Sequence, residues 1–457
     1  MDQYDLMVIG GGPAGYLAAQ RSAQKGNKVI LFEKKQLGGV CLNEGCIPTK
    51  TLLNSAKLYD HAKGGKPFGV MTKNVFIDIS AVLERKQKVI DQLVAGVGMT
   101  MKRNKVTVIP EHAQIKGETE KGFLAEAGGE IYEAKKLLIA AGSEAVIPPI
   151  KGVRKNIEKG FVLTSRELLN LEELPGQLVV VGAGVIGLEM AAYFATLGTD
   201  VTVVEMMDKI AGNMDRKISR VLQREMEKKG IKFMLGYQVT EFKEDGLLCQ
   251  KGEEIIACRA DKILLSIGRR PVIEGFGLEQ VGVEVKNGKI VTDEHLRTSV
   301  QGIYAAGDIN GKSMLAHTAY RESEVAVNDM TGVEDRMNYQ VIPSVIYTNP
   351  ELASVGETEE SAKEKGIQIK IAEVPMAYSG RFVAENDSVG GTCRLLMDIE
   401  TGCLAGAHIL GSYASEMIWG IAACMEKGIT VEEMKKIVFP HPSVSEIIKE
   451  AIFKLCP

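Results

Sequence analysis

Two stretches of the chain repeat one order of hydrophobic and polar patterns: an apolar run, a glycine-rich turn, a helical pattern and a second apolar run. Short apolar runs beside turn residues indicate buried strands, and the mixed pattern between them indicates a helix. The first copy predicts strand, helix and strand at 6–9, 16–25 and 28–33. The second copy predicts the same three elements at 178–181, 188–197 and 200–205. Strands that alternate with helices are typical of an α/β fold with parallel sheets.

Three glycines follow the first strand of each copy. They are Gly10, Gly12 and Gly15 in the first copy and Gly182, Gly184 and Gly187 in the second. At this spacing the first glycine permits a tight turn, the second lets the backbone approach a pyrophosphate, and the third lets the helix pack on the strand. The anion would then lie at the N-terminus of the helix, which favours negative charge. The repeat therefore predicts two dinucleotide-binding sites.

An acidic residue ends the second strand of each copy. Glu33 and Glu205 each stand 18 residues after the third glycine, where a carboxylate can accept hydrogen bonds from a ribose diol. Glu205 would also repel the 2′-phosphate of NADP. Met206 and Met207 follow it, where an arginine could have compensated. The second site is thus predicted to bind NAD.

Cys41 and Cys46 form the chain's one closely spaced cysteine pair. Residues five apart in an ideal helix lie roughly 8–9 Å apart at Cα, whereas a disulfide tolerates little beyond about 7 Å. If the two cysteines pair, the helix there must be distorted or only beginning, which Gly45 and Pro48 favour. A strained bridge is readily reduced, as a catalytic pair requires. The remaining cysteines are predicted to be isolated thiols: Cys249, Cys258, Cys393, Cys403, Cys424 and Cys456.

Composition excludes several classes of function. The net charge is −4 and the basic residues are scattered, so that no face for binding nucleic acid is expected. No apolar run reaches the roughly 18–20 residues of a membrane-spanning helix, and the first residues lack a secretory pattern. A cytoplasmic location away from membranes is expected. A chain of 457 residues is long enough for several domains.

His441 is a candidate acid–base residue. Pro442 keeps His441 out of a regular helix, and Ser443 and Ser445 are candidate caps for a helix at 446–455. Glu446 can turn back to one imidazole nitrogen and leave the other free to exchange protons. The same pair could instead serve only to cap the helix.

The segment Gly-Gly-Val-Cys-Leu-Asn-Glu-Gly-Cys-Ile-Pro-Thr-Lys at 38–50 resembles the redox signature of the pyridine nucleotide-disulfide oxidoreductase family. The resemblance covers essentially the whole chain and recurs at 268–271, 302–308, 315–317, 349–356 and 441–446. It implies an α/β fold with two Rossmann-like dinucleotide-binding domains, for FAD and NAD, and a C-terminal α+β dimerisation domain. The implied segments are 1–147 (FAD-binding, first part), 148–268 (NAD-binding), 269–337 (central, completing the FAD site) and 338–457 (interface).

The resemblance also assigns roles to single residues. It places FAD on the first glycine turn and Glu33, and NAD on the second glycine turn and Glu205. Lys50 would lie beside the reactive nitrogen of the flavin, with Glu189 as its partner, and Asp308 would hold the ribityl chain. Gly142, Ala316 and Gly268 complete the implied cofactor-binding set, whereas His317 is expected to be structural.

The implied reaction is the oxidation of protein-bound dihydrolipoamide to lipoamide with NAD⁺ as acceptor. Cys41 would be attacked by the substrate, Cys46 would face the flavin, and His441 with Glu446 would take the proton. The implied partners are a second copy of the chain, whose cysteine pair His441 would serve, together with lipoyl-bearing proteins and core subunits of 2-oxoacid dehydrogenase or glycine cleavage complexes.

Other disulfide reductases of the family are the alternatives. Glutathione- and trypanothione-reductase-like members usually read Val-Asn after the first cysteine and carry arginines for NADPH, whereas this chain has Leu42-Asn43 and Glu205. Mercuric-reductase-like and large thioredoxin-reductase-like members need a C-terminal thiol pair, and this chain has only Cys456 there. Single-cysteine NADH oxidases lack the counterpart of Cys46. A purely structural core subunit would not need Cys46 or His441.

Overall fold

The computed structural model describes residues 3–387 and 390–456. Its helices, in chain order, are α1 Pro13–Gln24, α2 Gly39–Glu44, α3 Cys46–Lys63, α4 Ile79–Arg103, α5 Val153–Glu158, α6 Ser165–Leu168, α7 Val185–Thr196, α8 Arg216–Lys228, α9 Ala316–Met330, α10 Glu359–Glu364, α11 Gly380–Glu385, α12 Ala414–Glu426, α13 Val431–Met434 and α14 Glu446–Leu455. Short 3₁₀ helices lie at Lys66–Phe68, Leu278–Val281, Asp308–Asn310 and Met376–Tyr378.

The strands belong to several separate sheets. In chain order they are β1 Gln3–Ile9, β2 Val29–Phe32, β3 Thr107–Ile109, β4 Gln114–Thr119, β5 Gly122–Ala127, β6 Glu130–Ile139, β7 Ser143–Ala145, β8 Val162–Leu163, β9 Gln177–Val181, β10 Asp200–Glu205, β11 Lys232–Leu235, β12 Gln238–Lys243, β13 Gly246–Lys251, β14 Glu254–Arg259, β15 Lys262–Leu265, β16 Arg269–Pro271, β17 Val285–Lys286, β18 Lys289–Ile290, β19 Ile303–Ala305, β20 Ser344–Ile346, β21 Glu351–Gly356, β22 Ile369–Pro375, β23 Thr392–Asp398 and β24 Leu404–Gly411.

The chain forms two compact units. The first comprises Met1–Thr51, Leu83–Val146 and Gly268–Tyr339, and the second comprises Leu52–Val82, Ile147–Ile267 and Gln340–Pro457. In the first unit, β3, β2, β1 and β6 form a parallel sheet, and β19 also runs parallel to β6. Its central strands are apolar on both faces because helices cover a parallel sheet on both sides. Met7, Leu137 and Ile139 are accordingly fully buried.

The second unit contains a parallel sheet in the order β11-β10-β9-β15-β8 and a small antiparallel sheet β12-β13-β14. Its C-terminal part is an antiparallel sheet in the order β20-β21-β24-β23-β22. Helices α12 and α14 pack on this last sheet, where Leu395, Ile409 and Ile452 are almost completely buried. The predicted α/β class is confirmed. The predicted four-segment division at 147, 268 and 337 stays a prediction.

Among the described residues, no helix combines the length and the apolar character that crossing a membrane would require.

A buried ion pair fixes the C-terminal sheet of the second unit to the start of α8. The Arg394 guanidinium on β23 is fully buried and donates to Asp215, while it also pairs with Glu359 at 2.8 Å and with Glu373 at 3.2 Å. Asp215 caps α8 by accepting hydrogen bonds from the backbone N–H groups of its first turn. Burial opposes ionisation of Asp215, but the Arg394 guanidinium and the hydrogen bond from the Ile218 N–H favour the charged form, and the pKa of Asp215 is lowered. The carboxylate is therefore charged at neutral pH.

Replacing Arg394 with methionine is expected to lower the free energy of unfolding by about 3–5 kcal/mol, because the Asp215 carboxylate would stay buried without its cation. Urea unfolding of the purified protein measures this loss. The double variant Arg394→Met/Asp215→Asn should recover most of it, since asparagine keeps the helix cap and removes the charge. Because the folded-state pKa of Asp215 is depressed, its stabilising contribution is present above pH about 4 and is lost at lower pH. Equal losses in the single and double variants would contradict this account.

Candidate functional site

The first glycine turn has a geometry that only glycine fits. Gly10 follows β1 with a φ of +103°, and a Cβ there would lie 2.2 Å from the Ala140 carbonyl oxygen. A Cβ on Gly15, in α1, would lie 1.7 Å from the Gly10 carbonyl oxygen. Gly12 is the residue before α1, so the unpaired N–H groups of the helix N-terminus begin there. The turn therefore places helix and strand in direct backbone contact, as a dinucleotide cradle requires.

The second glycine turn repeats this geometry. Gly182 also has a φ of +103°, and a Cβ there would lie 2.5 Å from the Ser266 carbonyl oxygen. A Cβ on Gly187 would lie 2.0 Å from the Gly182 carbonyl oxygen, and Gly184 is the residue before α7. The internal repeat read from the sequence is thus present in the backbone conformation of both turns.

The two acids close their turns in the same way. Glu33 accepts hydrogen bonds from the backbone N–H of Gly11 at 2.8 Å and of Lys35 at 2.8 Å. Glu205 accepts them from Ala183 at 2.7 Å and from Met207 at 2.8 Å. These bonds fix each carboxylate at the end of its strand, beside the glycine turn. Binding of a ribose by either carboxylate stays a prediction.

A cavity of about 290 Å³ lies at the N-terminus of α7 in the second unit. One wall is formed by Gly184, Val185 and the segment 211–214, and the opposite wall by residues that include Ser354 and His408. The His408 imidazole is fully buried, with Nδ1 3.0 Å from Ser354 Oγ. Burial lowers the pKa of His408, so that the imidazole is neutral at physiological pH. The cavity therefore adjoins the glycine turn at which the second cradle predicts a ligand.

The redox segment is a helix that breaks between its two cysteines. Cys41 lies in α2, Cys46 is the first residue of α3, and Gly45 between the helices has φ −146° and ψ −107°. The predicted interruption at Gly45 is confirmed. Both cysteines are thiols in this structure. A hydrogen bond to Cys46 together with burial raises the pKa of the Cys41 thiol, whereas the charge of Lys50 lowers it. Burial therefore favours the neutral thiol at Cys41, and the charge of Lys50 opposes it.

Two glycines of the redox signature have a role that the sequence did not indicate. The Gly38 N–H donates to the Gly11 carbonyl oxygen at 2.8 Å. A Cβ on Gly39 would lie 2.6 Å from Gly12 Cα. The glycine pair therefore joins the cysteine helix directly to the first cradle. The sequence feature that could have indicated this role is the Gly-Gly dipeptide at 38–39, but local propensity alone would assign it to a flexible turn.

Lys50 lies on α3, one helical turn after Cys46, and is half-buried. Glu189 lies on α7, is almost completely buried, and accepts a hydrogen bond from the Tyr347 N–H at 3.0 Å. The pairing of Lys50 with Glu189 stays a prediction.

Asp308 begins a 3₁₀ helix directly after β19 and Gly307. Ser143 Oγ donates to Asp308 Oδ2 at 2.5 Å, and Arg269 Nε donates to Ser143 Oγ at 2.8 Å. The fully buried Glu322 accepts from the Gly307 N–H at 2.5 Å, which fixes the turn that presents Asp308. Ser143, Arg269 and Glu322 were missed at the sequence level.

The other implied cofactor-binding positions lie in the first unit. Gly142 and Gly268 have φ of +75° and +121° and precede the paired strands β7 and β16. Ala316 is the first residue of α9, and His317 follows it. Their contacts with a cofactor stay predictions.

His441 and Glu446 form a hydrogen-bonded pair in the second unit. His441 Nδ1 lies 3.1 Å from Glu446 Oε1, and the imidazole side chain is 81% exposed. Glu446 also accepts from the Ser443 N–H at 3.0 Å, and these two hydrogen bonds lower its pKa. The predicted helix at 446–455 is confirmed. Ser445 occupies the predicted N-cap position of this helix, but its hydroxyl bonds to Ser443 Oγ and makes no capping hydrogen bond to the helix.

Comparison with known proteins gives two family matches. Residues 4–323 match the pyridine nucleotide-disulphide oxidoreductase family, and residues 342–452 match the dimerisation domain of the same family.

Several curated proteins are similar over nearly the full chain. A dihydrolipoyl dehydrogenase of Thermus scotoductus is 39% identical over 99% of this chain and 97% of its own length. One from Bacillus subtilis is 38% identical over 98% and 95%. The mitochondrial dihydrolipoyl dehydrogenase of Pisum sativum is 37% identical over 98% and 91%.

Solved structures are similar over the same extent. LpdA of Mycobacterium tuberculosis superposes with a TM-score of 0.89 at 26% identity, covering 99% of this chain and 100% of that one. The HOCl-induced flavoprotein disulfide reductase RclA of Escherichia coli superposes with a TM-score of 0.86 at 27% identity, covering 98% and 99%.

Proposed function

Because the chain belongs to the pyridine nucleotide-disulphide oxidoreductase family, we propose that it is a dihydrolipoyl dehydrogenase that oxidises protein-bound dihydrolipoamide with NAD⁺. The observation that carries this proposal is the cysteine pair. Cys41 and Cys46 contact each other across the helix break at Gly45, and Gly38 joins that helix to the first dinucleotide cradle. The similar curated proteins bear the same name.

The first cradle suits FAD. A side chain on Gly10 or Gly15 would collide with backbone atoms. The turn therefore has no side chains at these positions, which suits a pyrophosphate bound at the N-terminus of α1. Glu33 would receive the adenosine ribose, Asp308 the ribityl chain, and Gly142 and Ala316 would offer backbone groups. When bound, FAD supplies two-electron transfer between a dithiol and a nicotinamide.

The second cradle suits NAD. Gly182, Gly184 and Gly187 would hold the pyrophosphate beside the cavity of about 290 Å³, and Glu205 would bind the diol. The Glu205 carboxylate is ordered by backbone N–H groups, and the Met206 side chain beside it is 67% exposed and uncharged. A 2′-phosphate would therefore meet the Glu205 anion, which is followed along the chain by the uncharged Met206 and Met207, and this disfavours NADP. Gly268 is a further implied cofactor-binding position, for which no particular cofactor is assigned.

The thiol chemistry follows from the arrangement of the pair. A substrate thiolate attacks the Cys41 sulfur of the oxidised pair, and the Cys41–Cys46 bond breaks with Cys46 leaving as a thiolate. The second substrate thiol then displaces Cys41 and closes the lipoamide ring. His441 takes the proton from the attacking thiol, because the thiolate is the nucleophile. Glu446 holds the imidazole through Nδ1 and leaves Nε2 to carry that proton. The charge of Lys50 favours thiolate at the cysteine pair.

The active enzyme is a homodimer in this proposal, and His441 serves the cysteine pair of the second subunit. The dimerisation-domain match over 342–452 supports this assembly. Large apolar side chains are exposed in the same segment, where Trp419 is 68% and Val438 is 91% exposed. The partners are lipoyl-bearing proteins and core subunits of a 2-oxoacid dehydrogenase or glycine cleavage complex in the cytoplasm.

An anaerobic titration of the flavin-containing protein tests the proposal. Dihydrolipoamide should reduce it, and NAD⁺ but not NADP⁺ should reoxidise it, as followed by visible absorbance. Reduction only by NADPH, or failure of dihydrolipoamide to reduce the protein, would redirect the assignment to a glutathione-reductase-like or mercuric-reductase-like enzyme.

Replacing Gly187 with alanine is expected to raise the KM for NAD⁺ by about 10–100-fold, because its Cβ would lie 2.0 Å from the Gly182 carbonyl oxygen and push α7 off the strand. Steady-state kinetics with dihydrolipoamide measure the change, and flavin content should stay at one per chain. Gly96→Ala on α4 is the control, because its Cβ would meet no atom within 4 Å. Loss of flavin from Gly187→Ala would show that the second cradle does not serve NAD.

A further inference from the structure

A second cluster of sulfur atoms lies in the second unit. Cys249 on β13 and Cys258 on β14 have their sulfur atoms 3.7 Å apart. The Cys258 sulfur also lies 3.5 Å from the Met234 sulfur on β11. The sequence-based expectation that Cys249 and Cys258 are isolated is therefore wrong. The spacing gave no signal, since the two cysteines lie nine positions apart with a hairpin turn between them.

The strand register disfavours a disulfide between these cysteines. Cys249 is paired with Ile256, and Cys258 is paired with Leu247, so the two cysteines occupy diagonal positions of the hairpin. Diagonal neighbours lie roughly 7–8 Å apart, with their Cβ atoms somewhat closer, whereas the Cβ atoms of a disulfide lie about 3.5–4.5 Å apart. The two sulfur atoms lie 3.7 Å apart, well beyond the roughly 2.0 Å of a disulfide bond.

The distance between the Cys249 and Cys258 sulfur atoms allows one metal ion to bond to both. The sulfur atoms of Cys249 and Cys258 are 3.7 Å apart. If an ion bonded to both at about 2.3 Å, the sulfur–ion–sulfur angle would be about 107°. The same bond length gives about 99° for Cys258 and Met234, which are 3.5 Å apart. Both angles are wide enough for one ion to bond both sulfurs of each pair. Cys249 is fully buried among apolar side chains such as Val239 and Phe242, so water does not compete for the position.

The ligand set selects the kind of ion. Over residues 3–387 and 390–456, no group of three or more His, Cys, Asp or Glu side chains is placed to hold a metal, so a hard or a four-coordinate divalent ion lacks ligands there. Thiolate and thioether sulfurs favour copper(I). We propose that Met234, Cys249 and Cys258 form a binding site for a soft monovalent metal ion of the copper(I) class. Binding displaces the thiol protons to solvent, and no electron is transferred.

Anaerobic copper(I) binding to the full-length, flavin-containing protein tests this site, with a chromogenic copper(I) chelator as competitor. Cys249→Ser and Cys258→Ser should each bind one equivalent per chain less than the unmodified protein. Met234→Leu should keep the stoichiometry and bind about tenfold more weakly. Any copper held by the Cys41–Cys46 pair is common to all these variants and cancels in the comparison.

Cys456→Ser is the matched control, since this thiol also lies beside a methionine, at 4.0 Å from the Met397 sulfur, but has no second cysteine. It should bind as the unmodified protein does. Because Cys249 is fully buried, the partly buried Cys258 keeps the test available if Cys249→Ser does not fold.

Unchanged copper binding in Cys258→Ser and Met234→Leu would overturn the proposal and leave the sulfurs as core packing. Loss of two titratable thiols on mild oxidation without metal, absent in Cys258→Ser, would overturn it in favour of a disulfide. Stoichiometric binding of Zn²⁺ in place of copper(I) would also overturn it.

Discussion

Cys46→Ser is expected to lower the NAD-linked oxidation of dihydrolipoamide on the order of 10⁴-fold, because serine at this position cannot form the bond to Cys41 that each turnover makes and breaks. Cys46 opens α3 directly after the break at Gly45, and a serine side chain fits the same place without altering the helix. Steady-state turnover measures the loss, and flavin content should remain at one per chain.

Cys41→Ser should lose turnover equally but differ in its spectrum. It leaves the Cys46 thiolate beside the flavin and should keep long-wavelength absorbance that Cys46→Ser lacks. Cys456→Ser, which changes the thiol directly after α14, should keep full activity. More than a tenth of the original turnover in Cys46→Ser would show that the pair is not the redox centre.

The parts of the site that the sequence predicted are set by local rules. Each dinucleotide cradle is formed by one contiguous segment of the chain. In that segment a strand, three glycines and an acidic residue together fix the glycine turn. The break at Gly45 follows in the same way from the spacing of two cysteines along a helix. The helix Glu446–Leu455 has both ends marked by neighbouring residues. Such features require no knowledge of distant partners.

The parts that the sequence could not predict depend on contacts between segments that are distant along the chain or on strand register. Ser143 meets Asp308 across 165 positions, and Arg394 meets Asp215 across 179. No local sequence pattern predicts either pair, since each of the four residues taken alone is an ordinary polar residue. The contact between Cys249 and Cys258 depends on which residues of a hairpin face each other, and a shift of one residue would turn one cysteine to the opposite face.

His441→Gln is expected to lower turnover with dihydrolipoamide by about 10²–10⁴-fold, because the substrate thiol loses the base that takes its proton. NADH-dependent reduction of an artificial acceptor, which needs no thiol deprotonation, should stay within about twofold.

Since hydrogen bonds from Ser443 and His441 hold the pKa of Glu446 below its usual range, that carboxylate remains charged above pH about 4.3. The acid limb of the activity profile above pH 5 therefore does not arise from Glu446.

The Glu446→Gln variant separates positioning of His441 from proton transfer by it. Glutamine can still accept from the Ser443 N–H, so the start of α14 is preserved, but it no longer offers a carboxylate to His441 Nδ1. Its turnover should fall by only about 10–100-fold, since a residue that orients a reacting group acts less strongly than the group itself. A loss in Glu446→Gln as large as that in His441→Gln would mean that the pair acts as one unit. Full activity in His441→Gln would instead leave the pair as a helix cap and require another base for the substrate thiol.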